Sequence, residues 1–446
     1  MKKWKGALFI VVTVIVALLI SVGADILYGY VAHNKITPEK AQPLSIEFIA
    51  DNVYLGNKVL NENGEEKSQF DVRSVLGLSD KDTLKINEKD ILSNDTVNFS
   101  DYDIKKTNVK VNDKEVTLID GVNILSAQDF WACKSQFAYL KNNVVLQRDI
   151  DLNTLENVAD NFRFKVDKNF YGNGKKVVSF RRFNGKRRHF ALSFEFCGYG
   201  QKIFDTRFTG RVIAPDEELV LDDFLYYGVP VQIGNNSEST DKTKADFTNC
   251  LFENSYRNAY VTRSDVTFDR CIFNNSAESN VSIKTTTGHN SNVTFKSCIL
   301  LNATVANVTN WCEGAVQEEN FCTINVENTR FYSWKSTENA RIMVEDSDKN
   351  LYTIVNPMFQ SVINSGDAKK NFVKYKDNYY ASTAIIVICS GGGKNETKIN
   401  GLAENHLQRL PIPDNNVLSL FLSYAQIYGY PDASYIKPDE KPLFAF

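Results

Sequence analysis

The chain has 446 residues, 43% of them hydrophobic and 12% aromatic, and a formal net charge of −3. That is length enough for two or three folding units and apolar content enough for a core, which leaves little room for a disordered chain. The near-neutral balance excludes a whole-chain field aimed at nucleic acid, so an anionic partner has to be argued from a local patch.

Residues 1–35 read as a membrane anchor and its flank. Lys2, Lys3 and Lys5 precede Gly6–Ala24, 19 uncharged and mostly apolar residues in a row. A span of about 20 residues crosses the hydrocarbon layer. Asp25 ends the run, and Tyr28 and Tyr30 follow where interfacial aromatics belong. Lysines ahead of the span keep the amino end in the cytoplasm, so the expectation is a single-pass protein of the cell membrane with its bulk outside. The alternative is secretion after cleavage behind Val22-Gly23-Ala24, against which the run is long for a signal-peptide core of about 7–15 residues.

Residues 36–121 alternate short apolar runs (SIEFIA, FDVRSVLGL, NVKVNDKEVTLI) with polar turns (ENGEE, SDKD, VNDKE). This texture predicts a small antiparallel, sandwich-like spacer domain, and nothing in it has the look of a catalytic site. Residues 122–141 are expected to hold a capping helix. Ser126-Ala127-Gln128-Asp129 carries the S-x-x-D start signature, and Phe130, Cys133, Phe137 and Leu140 recur at helical spacing. A stack of parallel strands has an end with unpaired backbone groups, and a helix laid over it blocks edge pairing.

Residues 142–400 contain an internal repeat: ADFTNCLFEN from Ala245, VTFDRCIFNN from Val266, VTFKSCILLN from Val293 and INVENTRFYS from Ile324. Looser copies are QKIFDTRFTG, LVLDDFLYYG and YTIVNPMFQS. Counted at the first residue after a central bend, the copies fall at Thr206, Phe224, Cys250, Cys271, Cys298, Thr329 and Pro357, at intervals of 18 to 31 residues. Each copy reads as two short strands joined by a sharp bend, with apolar side chains kept on one face. A third strand per copy is visible in VPVQI, NAYVT and NVSIK. Repeats of this period stack, and three strands per coil predict an all-β parallel β-helix. The tail 401–446, with VLSLFLSYAQIYGY, is expected to close the far end, its apolar run as a helix.

The opening NVVLQRDIDL, the KNFYGNGKKV segment, the xNCxFxN repeats and the closing AIIVICSGGGKNETKIN resemble the pectate-lyase-like (pectin lyase-like) right-handed parallel β-helix superfamily over roughly half the chain. The resemblance implies the right-handed form of the coil. It leaves activity open, because that superfamily holds polysaccharide lyases and hydrolases alongside surface proteins that only bind.

Three sets of residues are candidates for chemistry. The bend residues Asp205 and Asp223, one interval apart, are expected to stack as a carboxylate pair able to share a proton or act on a glycosidic bond. The plain alternative is that Asp and Asn suit a sharp corner. The doublet Asp222-Asp223 resembles the paired aspartates of the polygalacturonases. The other parts of that pattern, a G-H-G and an R-x-K, are missing, and His289 is a poor substitute, so no catalytic residue is carried over. Arg181, Arg182, Lys186, Arg187 and Arg188, with His189, form the densest basic cluster, interleaved with aromatics in FRRFNGKRRHF. Asn184-Gly185 predicts a hairpin there, and arginine forks suit an acidic glycan or phosphate polymer. The alternative is a solvated hairpin neutralised by Glu217, Glu218, Asp222 and Asp223.

Eight cysteines complete the set. Cys250, Cys271 and Cys298 hold one repeat position and are expected as a buried packing ladder. Cys312 and Cys322 flank a loop and are a candidate disulfide. No metal or cofactor is expected. The reading that results is a membrane-anchored surface binding, adhesion or scaffold module for an acidic glycan or cell-wall polymer. The alternative is a membrane-tethered polysaccharide lyase or glycoside hydrolase.

Overall fold

The computed structural model describes residues 48–156, 158, 162–179, 181–182, 189–190, 193–210, 230–234, 242–286, 290–303, 306–313, 322–333, 372–375, 378–381, 385–390, 398–401 and 407–412. The anchor expected at residues 1–35 lies outside this set, as does the tail helix expected after residue 412. Among the described residues no helix is long and apolar enough to cross a membrane. The described residues form one compact unit.

That unit is mostly β. Among the described residues one sheet has 14 strands and another 13. The first begins with the antiparallel ladder Lys89–Asp90, Leu84–Ile86, Val109–Val111 and Lys114–Ile124. From Lys114–Ile124 onward it is parallel. Asn143–Leu146, Phe170–Tyr171, Tyr199–Phe204, Thr243–Thr248, Ser264–Asp269, Ser291–Lys296, Cys322–Glu327 and Lys398–Asn400 follow in chain order.

The second sheet holds two parallel rows. One runs through Lys176–Val178, Arg207–Thr209 and the starts of Leu251–Thr262 and Ile272–Thr286, then Ile299–Ala303 and Arg330–Ser333. The other runs through Arg163–Val166, Ser193–Phe196, Val231–Ile233 and the ends of the same two long strands. It continues through Ala306–Glu313, Ile385–Ser390 and Leu407–Ile412. Strand order in each row therefore follows chain order, and the row extends beyond residue 400, where the sequence placed the end of the stack.

Alternation explains which face closes inward. In Thr243–Thr248 and its neighbours, Ala245 and Phe247, Val266 and Phe268, Val293 and Phe295, and Ile324 and Val326 are buried in one core. Phe252 and Phe273, on the adjoining row, stack with ring centroids 4.6 Å apart, and Phe268 meets Phe273 edge to face at 5.0 Å. Between the first sheet and the adjoining row the chain turns on one left-handed residue. That residue is Asp205, Asn249, Arg270, Ser297 or Asn328, with φ between 45° and 53°. Asn and Asp visit this region at low cost, whereas Arg270 and Ser297 hold it against a steric penalty of roughly 1–2 kcal/mol that packing on both sides must offset.

The strand partners correct the repeat count at two places. Tyr199–Phe204 pairs directly with Thr243–Thr248, and Arg207–Thr209 with Leu251–Glu253. The copy LVLDDFLYYG at Phe224 is therefore not the next member of either row. Likewise Cys322–Glu327 pairs directly with Lys398–Asn400, so the copy at Pro357 is not the next member of the first sheet. Periodicity along the chain does not encode which copies become strand neighbours.

The spacer and cap also differ from expectation. Lys114–Ile124 runs unbroken across residue 121: Val116 and Leu118 belong to a smaller core with Phe70, Val72 and Phe99, and Val122 and Ile124 belong to the large one. Tyr54–Leu60 pairs with this strand in parallel, so the small domain is a mixed sheet continuous with the stack and carries a short helix, Val72–Leu76. The helix expected within residues 122–141 is Ala127–Cys133, with the expected capping box between Ser126 and Asp129. Phe130 is fully buried, against Phe164 at 5.7 Å and Phe194 at 5.4 Å. Phe137 is 70% exposed. The helix stops at Lys134, which is extended, and Ala138 turns left-handed at φ 67°, so helical spacing no longer governs where Phe137 points. Leu140 regains burial because its N–H bonds Lys165 O across a strand-like bridge.

Candidate functional site

Among the expected site residues, Asp205 has a described side chain. It is buried at a bend, and Asn249 is its neighbour in the stack. Its Oδ1 accepts from Asp51 N at 2.7 Å and from Asn249 Nδ2. Asp205 thus meets Asn249 rather than the expected Asp223, because Tyr199–Phe204 pairs directly with Thr243–Thr248. Asp222 and Asp223 lie outside the described residues. The segment Ile49–Tyr54 crosses this row of bends as a strap. Asn249 Nδ2 donates to Ile49 O, Asp51 pairs with Arg270, and Tyr54 N donates to Asn173 Oδ1 at 2.7 Å. Burial first of all raises the Asp205 pKa, and the Tyr54 phenol is pushed to about 12, mainly by burial and then by the Asp205 charge. The corner reading accounts for every contact of Asp205.

The basic cluster keeps its predicted hairpin at backbone level. Arg181–Arg182 pairs antiparallel with His189–Phe190 as a separate two-stranded sheet, Arg181 opposite Phe190 and Arg182 opposite His189. Lys186, Arg187 and Arg188 fall in the connection, outside the described residues. The second arginine doublet is therefore not the strand partner of the first.

The thiols divide in the same way. Cys250, Cys271 and Cys298 are free and buried. Cys271 Sγ donates to Phe247 O at 3.4 Å, and burial drives the Cys271 and Cys298 pKa values well above the usual thiol range. Cys322 is a free, fully buried thiol at the start of a first-sheet strand opposite Ser291. The expected Cys312–Cys322 bridge is therefore not formed: Cys322 is held as a thiol beside Thr285.

A site that the sequence reading missed lies on the outer face of the second sheet. Phe194 and Phe196 are in the core, so Glu195 between them faces the other way. In register with it stand Lys165, Gln232, Tyr260, Ser282 and Thr309. Although it faces away from the core, Glu195 is only 5% exposed, and Gln232, Tyr260, Ser282 and Thr309 are buried as well. Arg163 Nη1 lies 3.8 Å from Glu195 Oε2, while Glu195 Oε1 has no hydrogen-bond partner among the described residues. Burial raises the Glu195 pKa against the pull of Lys165 and Arg163.

Tyr139 and Cys197 sit beside it, both with raised pKa values owed first to burial. On the adjoining row Glu253 accepts from Thr209 Oγ1 at 3.0 Å and pairs with Arg207 at 3.3 Å. Alternation alone marks Glu195 as outward; that the outward face is buried is not written in SFEFC. Among the described residues no three His, Cys, Asp or Glu side chains converge as a metal site.

No family model, curated protein or solved structure matches the chain.

Proposed function

We propose that this chain is a membrane-anchored surface protein, built as a right-handed parallel β-helix, that binds an acidic glycan or cell-wall polymer without chemically altering it. The coil is supported by three parallel rows in chain order, one left-handed bend per repeat and a continuous aromatic core. Its hand follows from the strong preference of parallel crossovers for right-handed connection. The observation that carries the binding reading is the antiparallel hairpin of Arg181–Arg182 with His189–Phe190, set apart from the parallel sheets. Its connection carries Lys186, Arg187 and Arg188, so five cations fall within eight residues of one hairpin. Like charges gathered this way are offset best by an anionic partner, and arginine forks match carboxylate and phosphate geometry.

The test is binding of a polyuronate and of a polyol-phosphate polymer across a salt series. Affinity is expected to fall steeply with salt, since exposed charges are screened beyond about 8 Å at physiological ionic strength. Replacing Arg187 and Arg188 with Ser should weaken it without moving the melting transition. No salt-sensitive affinity for either polymer would end the binding reading. A lyase or hydrolase reading draws support from Glu195, a buried carboxylate beside Arg163, Lys165 and Tyr139. Release of shorter chains from either polymer, lost on Glu195→Gln, would put that reading first.

A further inference from the structure

The two strands Ala306–Glu313 and Ile385–Ser390 are parallel neighbours, and their register places Cys312 directly opposite Cys389. We propose that Cys312 and Cys389 form a disulfide that fastens the excursion between these strands to the stack.

Register partners on parallel strands occupy one face of the sheet and stand about 4.8 Å apart. That separation falls within the range of about 4.4–6.8 Å between Cα atoms that disulfides span. The bond also asks the Cβ atoms to approach to about 3.8 Å, an inward step of about 1 Å. Cys312 and Cys389 are each the second-last residue of their strand, and strand ends yield to such a step more readily than strand centres do. Six other cysteines, Cys133, Cys197, Cys250, Cys271, Cys298 and Cys322, are free thiols in the structure, and the last of these stands on the other sheet opposite Ser291. The pairing therefore differs from the one that loop spacing suggests.

The bond has a mechanical role that the topology defines. Between Cys312 and Cys389 the chain leaves this row, contributes Cys322–Glu327 to the first sheet and Arg330–Ser333 to the adjoining row, and forms the separate hairpin of Phe372–Tyr375 with Asn378–Ala381. It then returns to the strand position beside the one it left. A cross-link at that return closes a loop of about 75 residues and removes its open conformations from the unfolded chain. The chemistry is thiol–disulfide exchange: the two thiols give up two protons and two electrons to a disulfide-bearing oxidant. One S–S bond forms in the protein, and the oxidant's S–S bond is reduced to two thiols.

The experiment uses the full chain, reduced, refolded in detergent with oxidised glutathione, then alkylated in denaturant without reductant and mapped by mass spectrometry. Because the oxidant is supplied in vitro, the outcome does not depend on the compartment or on polymer binding. The expected result is one linked peptide pair containing Cys312 and Cys389, with the remaining six of the eight cysteines alkylated. Cys389→Ser should remove the linked pair and lower the melting temperature by on the order of 5 °C relative to the oxidised parent. Cys322→Ser should leave the linked pair in place. A link between Cys312 and Cys322, or eight alkylated cysteines in protein whose melting transition shows it to be folded, overturns the assignment.

Discussion

Asp205 illustrates how a catalytic-looking residue serves a corner. It holds φ 49° at the bend, accepts from the backbone of the strap and is buried, with its pKa raised chiefly by that burial. A carboxyl raised above its unfolded value contributes stability that is complete below the unfolded pKa and is lost as pH rises through the folded one. Asp205→Asn keeps an acceptor and the left-handed preference but removes the titration. Its stability relative to wild type should therefore increase between pH 4 and pH 7, read from thermal unfolding at each pH. Asp205→Ala strands the Asp51 N–H and the Asn249 amide and puts a plain Cβ in the left-handed region, at a cost of about 1–3 kcal/mol. Equal melting temperatures for the Asn and Ala variants would remove the strap contact from this account. The bend itself was legible where an Asx residue holds it, at Asp205, Asn249 and Asn328. The strap was not, because residues 49 and 249 are brought together by long-range strand pairing and by no local signal.

At the scale of elements, Phe130 is the fully buried aromatic of the helix Ala127–Cys133. Phe130 packs against Phe164, Phe170 and Phe194, and Phe130→Ala should cost about 3–5 kcal/mol in denaturant unfolding. Phe137→Ala should stay within about 0.5 kcal/mol, as exposed positions do. Were the two substitutions equally damaging, the helix end at Cys133 would be misplaced. The thiol ladder gives a second test. Cys250, Cys271 and Cys298 are buried and free, and raised pKa values at Cys271 and Cys298 leave little reactive thiolate. A thiol reagent should miss all three in native protein and label all three in denaturant without reductant. Labelling of any of them before unfolding would contradict the packed core.

For the whole molecule, the decisive property is continuity. The strand Lys114–Ile124 belongs to both cores, so the small domain and the stack should melt in one transition, and two separated calorimetric transitions would show them to be independent. The proposed anchor belongs to this scale too. Full-length protein is expected to stay with membranes through an alkaline carbonate wash, with residues after Asp25 reachable from outside. Recovery of a soluble form beginning at Asp25 would replace the anchor by a cleaved signal.

By itself the sequence determined the β class, the repeat and the inward set. Phe247, Phe268 and Phe295 recur at one position of the copies, and that alternation is local information. It also marked the bends, because φ near 50° is a property of single residues that Asn and Asp tolerate. Only the tertiary structure decided which copies are neighbours. Strand pairing is a long-range choice made between backbone groups, so the segments around Phe224 and Pro357 read like coils yet the sheets pass from Phe204 to Thr248 and from Asn325 to Asn400 without them. For the same reason the sequence joined Asp205 to Asp223 and Cys312 to Cys322, whereas register joins Asp205 to Asn249 and sets Cys312 opposite Cys389. The burial of Glu195 on an outward face was likewise decided by what packs over that face, which alternation along one strand does not encode.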